Sequence, residues 1–281
     1  MSTENKNTPA SHGFAQYGLS LPILEALDML GYHHPTAIQQ EVIPLVLAGK
    51  NVVARSRTGT GKTAAFAVPL CEMAVWEENS PRALVLEPSR ELAVQVSREL
   101  FQIGRKKRLK VPAVFGGFPI DKQMQTLKQK SHIVVGTPGR VMDLVRRGSL
   151  QLSGITHLVI DEADLMLDMG FLEEVGEIIS LLPENRKILL FSATLEKQVQ
   201  TLIDNYAADA VFVAQDQEDG PPPSIGQAAY EVTAENKYEM FKRVLMKENP
   251  DSCMIFCGTR EMVNVLFQKL RRDRIFCGMI H

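Results

Sequence analysis

Ser56-Arg57-Thr58-Gly59-Thr60-Gly61-Lys62-Thr63 sits just after the apolar run Asn51-Val52-Val53-Ala54, and Asp161-Glu162-Ala163-Asp164 sits just after Leu158-Val159-Ile160. Gly59 and Gly61 let the main chain curl so that successive amide N–H groups point at phosphate oxygens, where a side chain would obstruct them. Thr58 and Thr60 complete the loop. Lys62 places a cation against the outer phosphates, and the Thr63 hydroxyl can ligate magnesium. Asp161 and Glu162 supply what hydrolysis still lacks: Asp161 anchors the metal and Glu162 positions or deprotonates the attacking water. The two segments together read as a nucleoside-triphosphate site.

Outward from these two points the chain alternates short apolar runs with amphipathic stretches. Asn51–Ala54, Ala83–Leu86, Val111–Phe115, Ile133–Val135, Leu158–Ile160, Ile188–Phe191 and Ala210–Val213 read as strands, with helices such as Ser89–Arg105 and Phe171–Leu182 between them. Continuously apolar strands separated by helices imply a parallel α/β sheet covered on both faces. Ligands in such folds bind beyond the carboxyl ends of the strands, where both opening segments fall. Pro69 is expected to kink the helix that follows Lys62.

At 281 residues the chain has room for one large domain and part of another. A hydrophobic share of 45%, a charged share of 23% and a net charge of −2 are those of an ordinary soluble protein. Affinity for a polyanion must therefore come from local features. Met1 to Gly13 is polar and reads as a disordered start rather than an export or transit signal. No apolar run reaches the ~18 residues of a membrane span. Few, scattered cysteines suit a reducing cytosol, so the expected location is cytoplasmic. Cys253 and Cys257 alternate with apolar residues and are expected on one face of a buried strand. A zinc site completed by Cys277 and His281 is the competing reading.

The acidic, then proline-rich segment 215–226 reads as a linker between a domain at 14–214 and a second region at 227–281. There the alternation restarts, with strands expected near Ala228–Val232, at Met254–Cys257 and from Ile275, and helices near Lys237–Lys247 and Glu261–Arg272. The basic run Arg105-Lys106-Lys107-Arg108-Leu109-Lys110 closes a helix, where cations suit the dipole, and reads as a solvated helix end.

Asp161-Glu162-Ala163-Asp164 spells the signature of the DEAD-box RNA helicases, and the chain resembles that family along essentially its whole length. Gly31-Tyr32-His33-His34-Pro35-Thr36-Ala37-Ile38-Gln39 resembles the family's Q motif, with Phe14 at the aromatic position before it. The resemblance implies that Gln39 pairs with adenine through its amide while Phe14 stacks on the base. Ser192-Ala193-Thr194 resembles the motif that couples hydrolysis to strand separation, with Ser192 and Thr194 bonding Asp164. Pro88-Ser89-Arg90-Glu91-Leu92-Ala93, Gly116-Gly117 and Thr137-Pro138-Gly139-Arg140 are similar to the family's RNA-contacting motifs. Thr137 before Pro138 also makes a good cap and first turn, leaving amide donors for a sugar–phosphate backbone, a contact that carries no base information.

The fold implied is a RecA-like P-loop domain followed by an incomplete second RecA-like domain. ATP and Mg2+ are the implied cofactors and RNA the implied partner, with no membrane. Ser56 and Arg57 stand where most members have Ala and Gln, and Ser89 where Thr is commoner. Ile255-Phe256-Cys257-Gly258-Thr259-Arg260 resembles the first motif of the second domain, and the family's arginine fingers would lie beyond His281. The expectation is therefore ATP and weak RNA binding with little turnover by the isolated chain. The alternative reading is an impaired ATP- and RNA-binding module.

Overall fold

The computed structural model describes residues 13–57, 59–78, 80–214 and 226–280. Contacts divide the chain into two units, Met1–Asp219 and Gly220–His281. The first unit opens with helices α1 (Leu21–Met29) and α2 (Ala37–Leu47), then β1 (Val52–Arg55), α3 (Lys62–Met73), β2 (Ala83–Leu86) and α4 (Arg90–Gly104). It continues with β3 (Ala113–Val114), α5 (Ile120–Leu127), β4 (Ile133–Gly136), α6 (Pro138–Arg146), β5 (His157–Ile160) and α7 (Ala163–Asp168). Helix α8 (Leu172–Ser180), β6 (Lys187–Ser192), α9 (Lys197–Tyr206) and β7 (Val211–Ala214) complete it.

The strands form one sheet in the order β3-β4-β2-β5-β6-β1-β7, every pairing parallel. Successive residues of a strand face opposite sides of the sheet, so both faces need cover. Val52, Ala54, Val85, Val159, Leu189 and Phe191 join the core under α1 to α4, where the Phe66 and Phe191 rings lie 5.2 Å apart. Val53, Leu84, Leu86, Leu158, Ile188 and Leu190 join the core under α6 to α9. This two-sided burial is why the strands read as unbroken apolar runs.

Helix α3 continues unbroken through Pro69, and its residues from Ala64 to Cys71 are all buried. Strand β3 is shorter than expected, only Ala113–Val114 of the run Val111–Phe115 being paired. The basic run closes α4 in a single 3-10 turn, Arg105–Lys107, with Lys106 Nζ 3.0 Å from Glu25 and Lys107 Nζ bonded to Glu72 O at 2.6 Å.

The second unit contains α10 (Lys237–Glu248) and α11 (Arg260–Arg272), the latter capped by Thr259 Oγ1 accepting from Met262 N at 3.1 Å. None of its three expected strands is one: Ala228–Val232, Met254–Cys257 and the stretch from Ile275 are unpaired among the described residues. Apolar alternation supplies a surface to bury but not the neighbouring ladder that makes a strand, and Phe256 and Phe276 stand bare. Cys253 is accordingly exposed and Cys257 half-buried, not inside a sheet. His281, the fourth ligand of the zinc alternative, lies outside the described residues, as do Met1 to His12 of the expected disordered start and 215–225 of the expected linker. No helix among the described residues is long and apolar enough to cross a membrane.

Candidate active site

The loop between β1 and α3 curls as its glycines allow. Gly59 has φ 82° and Gly61 φ 93°, in the left-handed region that costs an L side chain about 1–2 kcal/mol. A Cβ on Gly61 would also collide with Gln39 Nε2. Ser56 is buried, and its Oγ lies 2.6 Å from Thr60 Oγ1, which donates to Arg57 O at 3.0 Å. Thr58 lies outside the described residues. Lys62 and Thr63 open α3, so the first amides of that helix are left free at the end of the loop.

Strand β5 delivers Asp161 to the same rim, because β5, β6 and β1 run parallel, with β6 between the other two. Lys62 Nζ donates to Glu162 Oε1 at 2.8 Å across a separation of 100 residues. The two opening segments therefore meet. Glu162 holds φ 47°, a left-handed conformation uncommon outside glycine. Asp161 is 4% exposed, and its Oδ1 accepts from Glu162 N at 2.9 Å. Burial pushes its carboxyl up to about 7 against the pull of Lys62, with Glu162 adding to the rise.

Asp164, in the first turn of α7, fastens the tip of β6. Its Oδ2 accepts from Ala193 N at 3.1 Å, Thr194 N at 2.8 Å and Thr194 Oγ1 at 3.1 Å, while its own N–H donates to Ser192 Oγ at 3.2 Å. Partial burial raises the Asp164 carboxyl, but the bonds from Thr194, Leu165 and Ser192 outweigh it and hold it below the ordinary value.

On the base side, both expected residues are engaged within the protein. Phe14 is fully buried in the core, its ring edge-on to Tyr17 at 6.2 Å. A recess of about 340 Å³ between the Q-like segment and the loop is lined by Tyr32, His33, His34 and Glu99 beside Gln39 and Gly61. Gln39 spends its amide on the protein: Oε1 accepts from Thr36 N at 2.9 Å and Nε2 donates to Gly61 O at 3.0 Å. Its position at the third residue of α2 explains the first bond, a capping-box reach back to the N-cap. Gln39 thus braces the loop as well as walling the recess.

The RNA-like motifs sit on the other half of the rim, at the tips of β2, β3 and β4. Pro88 leads into Ser89, whose Oγ caps α4 by accepting from Leu92 N at 3.2 Å. Gly116 and Gly117 are exposed, Gly117 with φ 74°. Thr137 caps α6 by conformation alone, with no bond from its hydroxyl, and Pro138 and Gly139 form the first turn. Arg140 Nη1 donates to Phe118 O at 3.0 Å. Arg90 lies 5.3 Å from the centre of the Phe115 ring.

The structure adds residues that the sequence reading passed over. Glu87, between β2 and Pro88, has no solvent exposure and no hydrogen-bond partner for either carboxyl oxygen among the described residues. Burial raises it well above the ordinary value, Asp161 and Glu162 add to the rise, and Lys62 opposes it. Tyr32 Oη donates to Glu99 at 3.3 Å on the wall of the recess. Phe118 and Lys122 border the glycine turn. A glutamate between leucine and proline looks like an ordinary loop start; only the sheet order, which walls it between β4 and β5, shows otherwise.

Residues 36–202 match the model of the DEAD/DEAH box helicase family. The chain is 50% identical over 268 residues to the ATP-dependent RNA helicase DbpA of Bacillus subtilis, covering 95% of this chain and 56% of that protein. It is 38% identical to the DEAD-box ATP-dependent RNA helicase CshA of Geobacillus kaustophilus, covering 92% of this chain and 55% of that one. The chain thus spans about half the length of the curated relatives it matches. Among solved structures, a DEAD box protein of Methanococcus jannaschii aligns with a TM-score of 0.70 at 38% identity, over 96% of this chain and 72% of that one. Dbp5 of Saccharomyces cerevisiae, bound to RNA and ADP BeF3, aligns with a TM-score of 0.85 at 30% identity, over 97% and 69%.

Proposed function

The chain belongs to the DEAD/DEAH box helicase family, and from that membership we propose that it binds ATP with magnesium at the β1, β5 and β6 tips, binds RNA along the β2, β3 and β4 tips, and couples ATP hydrolysis to RNA strand separation. A cytoplasmic setting belongs to the same proposal. One observation carries it: the 2.8 Å contact of Lys62 with Glu162, which joins a phosphate-gripping loop to a carboxylate pair.

The residues fit a magnesium nucleotide. The loop curls where only glycine is comfortable, and Thr63 and Asp161 offer the oxygen ligands a hard cation takes. Among the described residues no three His, Cys, Asp or Glu side chains converge to hold an ion unaided. That suits magnesium, which is bound by one or two protein groups and completed by phosphate and water. When bound, the magnesium nucleotide supplies the transferable phosphoryl group and a divalent charge against its oxygens.

The remaining work falls to side chains. Lys62 must leave Glu162 to neutralise phosphate charge, and the exchange frees Glu162 to orient water and accept its proton. Asp161 must be ionised to anchor the cation. Asp164, holding the 192–194 turn through three accepted bonds, passes any shift of the acid pair to the tip of β6. Gln39 reads the base by exchanging its Thr36 and Gly61 partners for adenine, so base binding loosens or resets the loop. Arg90, Arg140 and the amides around Gly116, Gly117, Pro138 and Gly139 take the RNA backbone.

Lys62→Ala and Glu162→Gln separate binding from chemistry. Titration with a fluorescent ATP analogue should show at least a tenfold loss for Lys62→Ala and little change for Glu162→Gln. Single-turnover phosphate release should fall by roughly 10²–10⁴ for Glu162→Gln, the usual worth of a positioned base. RNA should stimulate that release and DNA of the same sequence should not, because the ribose hydroxyl distinguishes them. Nucleotide affinity untouched by Lys62→Ala would refute the assignment.

A further inference from the structure

A second recess, of about 210 Å³, opens at the amino-terminal ends of β4, β2 and β5, the end of the sheet opposite the nucleotide and RNA rims. Its floor is apolar: Leu70 and Ala74 come from the end of α3, Ala83 from the start of β2 and Ile133 from the start of β4. The register sets Ala83 between Ile133 and His157, so the smallest of the three side chains stands in the middle and leaves the hollow.

Hydrogen bonds around the recess fix the tautomers of the two histidines on its wall. Lys110 N donates to His132 Nδ1 at 2.9 Å, which puts the ring proton on Nε2, 3.3 Å from Trp76 O. Thr156 Oγ1 spends its one proton on Arg82 O at 3.0 Å. Toward His157 it can only accept, so the 2.9 Å contact there requires the proton on His157 Nδ1. Burial lowers both rings below the ordinary imidazole range, and Lys187 adds to the fall at His157, so both are neutral at pH 7. Arg82 Nε donates to Glu78 Oε1 at 2.8 Å, which closes that charged pair on itself. Apart from the ion pair, the side chains of the wall leave one polar atom unmatched among the described residues, the bare lone pair of His157 Nε2.

We infer that this recess binds a small, flat, largely apolar molecule that donates one hydrogen bond, the phenol or indole class, with its donor on His157 Nε2. A wall without uncompensated charge gives neither an anion nor a cation a reason to enter. Ordered water takes two to four polar partners, and the side chains beyond the ion pair offer one. An apolar cavity of about 150 Å³ holds benzene, so this one has room for a substituted phenol or a fused bicycle. Stability alone would favour a larger residue than Ala83, because an unfilled hollow forfeits contacts. The recess shares no residue with the nucleotide site or the RNA-like motifs, so the inference stands apart from the function proposed above.

Two-bond proton–nitrogen NMR spectra of the histidine rings test this on the full 281-residue chain. In the free protein His157 should show a protonated Nδ1 and a bare Nε2. Titration with 4-methylphenol should shift the Nε2 signal to saturation, with a Kd of roughly 0.1–1 mM for a ligand of so few atoms. Toluene, which has the shape without the donor, should bind roughly two- to tenfold more weakly and leave Nε2 unshifted. In His157→Phe, which keeps a ring but no acceptor, the methyl signals of Leu70 and Ile133 should report equal affinity for both compounds. Ala83→Val, which fills the hollow, should lose both. Thermal melting establishes that the variants are folded, and the comparison of the two compounds on the wild type decides the matter even where one is not. A proton on Nε2 in the free protein would overturn the inference. So would equal affinity of the wild type for 4-methylphenol and toluene, or no response to 4-methylphenol at about tenfold above the stated range.

Discussion

Replacing Glu87 by Gln should remove a pH-dependent burden on the fold. The side chain has no exposure and neither carboxyl oxygen has a hydrogen-bond partner among the described residues, so its ionised form is uncompensated. Burial raises the carboxyl well above its ordinary 4.5, Asp161 and Glu162 push further the same way, and Lys62, already committed to Glu162, offsets only part. A raised carboxyl weakens the folded state as pH climbs. Below 4.5 the group is protonated in folded and unfolded chains alike and costs nothing extra. Above it the unfolded chain releases the proton while the folded chain keeps it. Each further pH unit then disfavours folding by about 1.4 kcal/mol, until the folded group ionises as well.

For a unit of this size, each pH unit over which only the unfolded chain has lost the proton is worth on the order of 4 °C in melting temperature. Gln has nearly the same volume and no charge, and it leaves an unpaired amide whose cost is constant with pH. The quantity to measure is therefore the difference in melting temperature between Glu87→Gln and wild type at half-unit steps from pH 4.5 to 8. That difference should grow in favour of Glu87→Gln with rising pH and then level off. Asp161, also raised by burial, adds a slope of the same sign to both proteins, and an Asp161→Asn background isolates the Glu87 share. Parallel melting curves across the whole range would refute the reasoning, because they would mean that Glu87 ionises as easily in the folded chain as in the unfolded one.

Gly61→Ala should destabilise by more than the roughly 1–2 kcal/mol of its left-handed backbone, since the new Cβ also meets Gln39 Nε2, and nucleotide binding should be lost with it; Gly139→Ala, with open space at its Cβ, should melt within about 1 kcal/mol of wild type. Magnesium-dependent nucleotide affinity should rise as pH climbs through about 7, with a proton released on binding that Asp161→Asn abolishes; calorimetry in two buffers of different ionisation heat counts it, and flat affinity from pH 6 to 8 would contradict the burial of that carboxyl. Asp164→Asn should speed amide exchange at Ala193 and Thr194 by roughly ten- to a hundredfold, since bonds to a charged acceptor are each worth about 1.5–3 kcal/mol, and unchanged exchange would remove Asp164 as the fastener.

What could be read from residue order divides along physical lines. The five inner strands of the first unit were visible because a doubly covered parallel strand must be apolar on both faces, and Leu84, Val85 and Leu86 can be little else. The phosphate loop was visible because its chemistry is carried by main chain, which only Gly59 and Gly61 permit. The same apolar alternation misled at Met254–Cys257, where no ladder partner exists among the described residues. Phe14 and Gln39 were placed by resemblance; their partners within the chain, the core for one and Gly61 O for the other, come from packing that no local pattern states. Glu87 and Phe118 went unnoticed for opposite reasons, one buried where a loop residue is expected and the other bare where an aromatic is expected inside.

The sheet order gives Glu87 its meaning. Strand β2 lies between β4, which carries the RNA-like turn at Thr137, and β5, which carries the acid pair. Glu87 N donates to Gly136 O at 3.0 Å on one side, while Asp161 N donates to Leu86 O at 3.1 Å on the other. The residue stands at the seam between the two halves of the rim, where a charge is felt by Asp161 and a backbone shift is felt by Pro88 and Ser89. If the halves communicate through this seam, Glu87→Gln should change the factor by which nucleotide alters RNA affinity, and RNA should alter nucleotide affinity by the same changed factor. A coupling factor identical to the wild type's, with a melting profile that did change, would confine Glu87 to stability and route communication through Asp164 and the 192–194 turn.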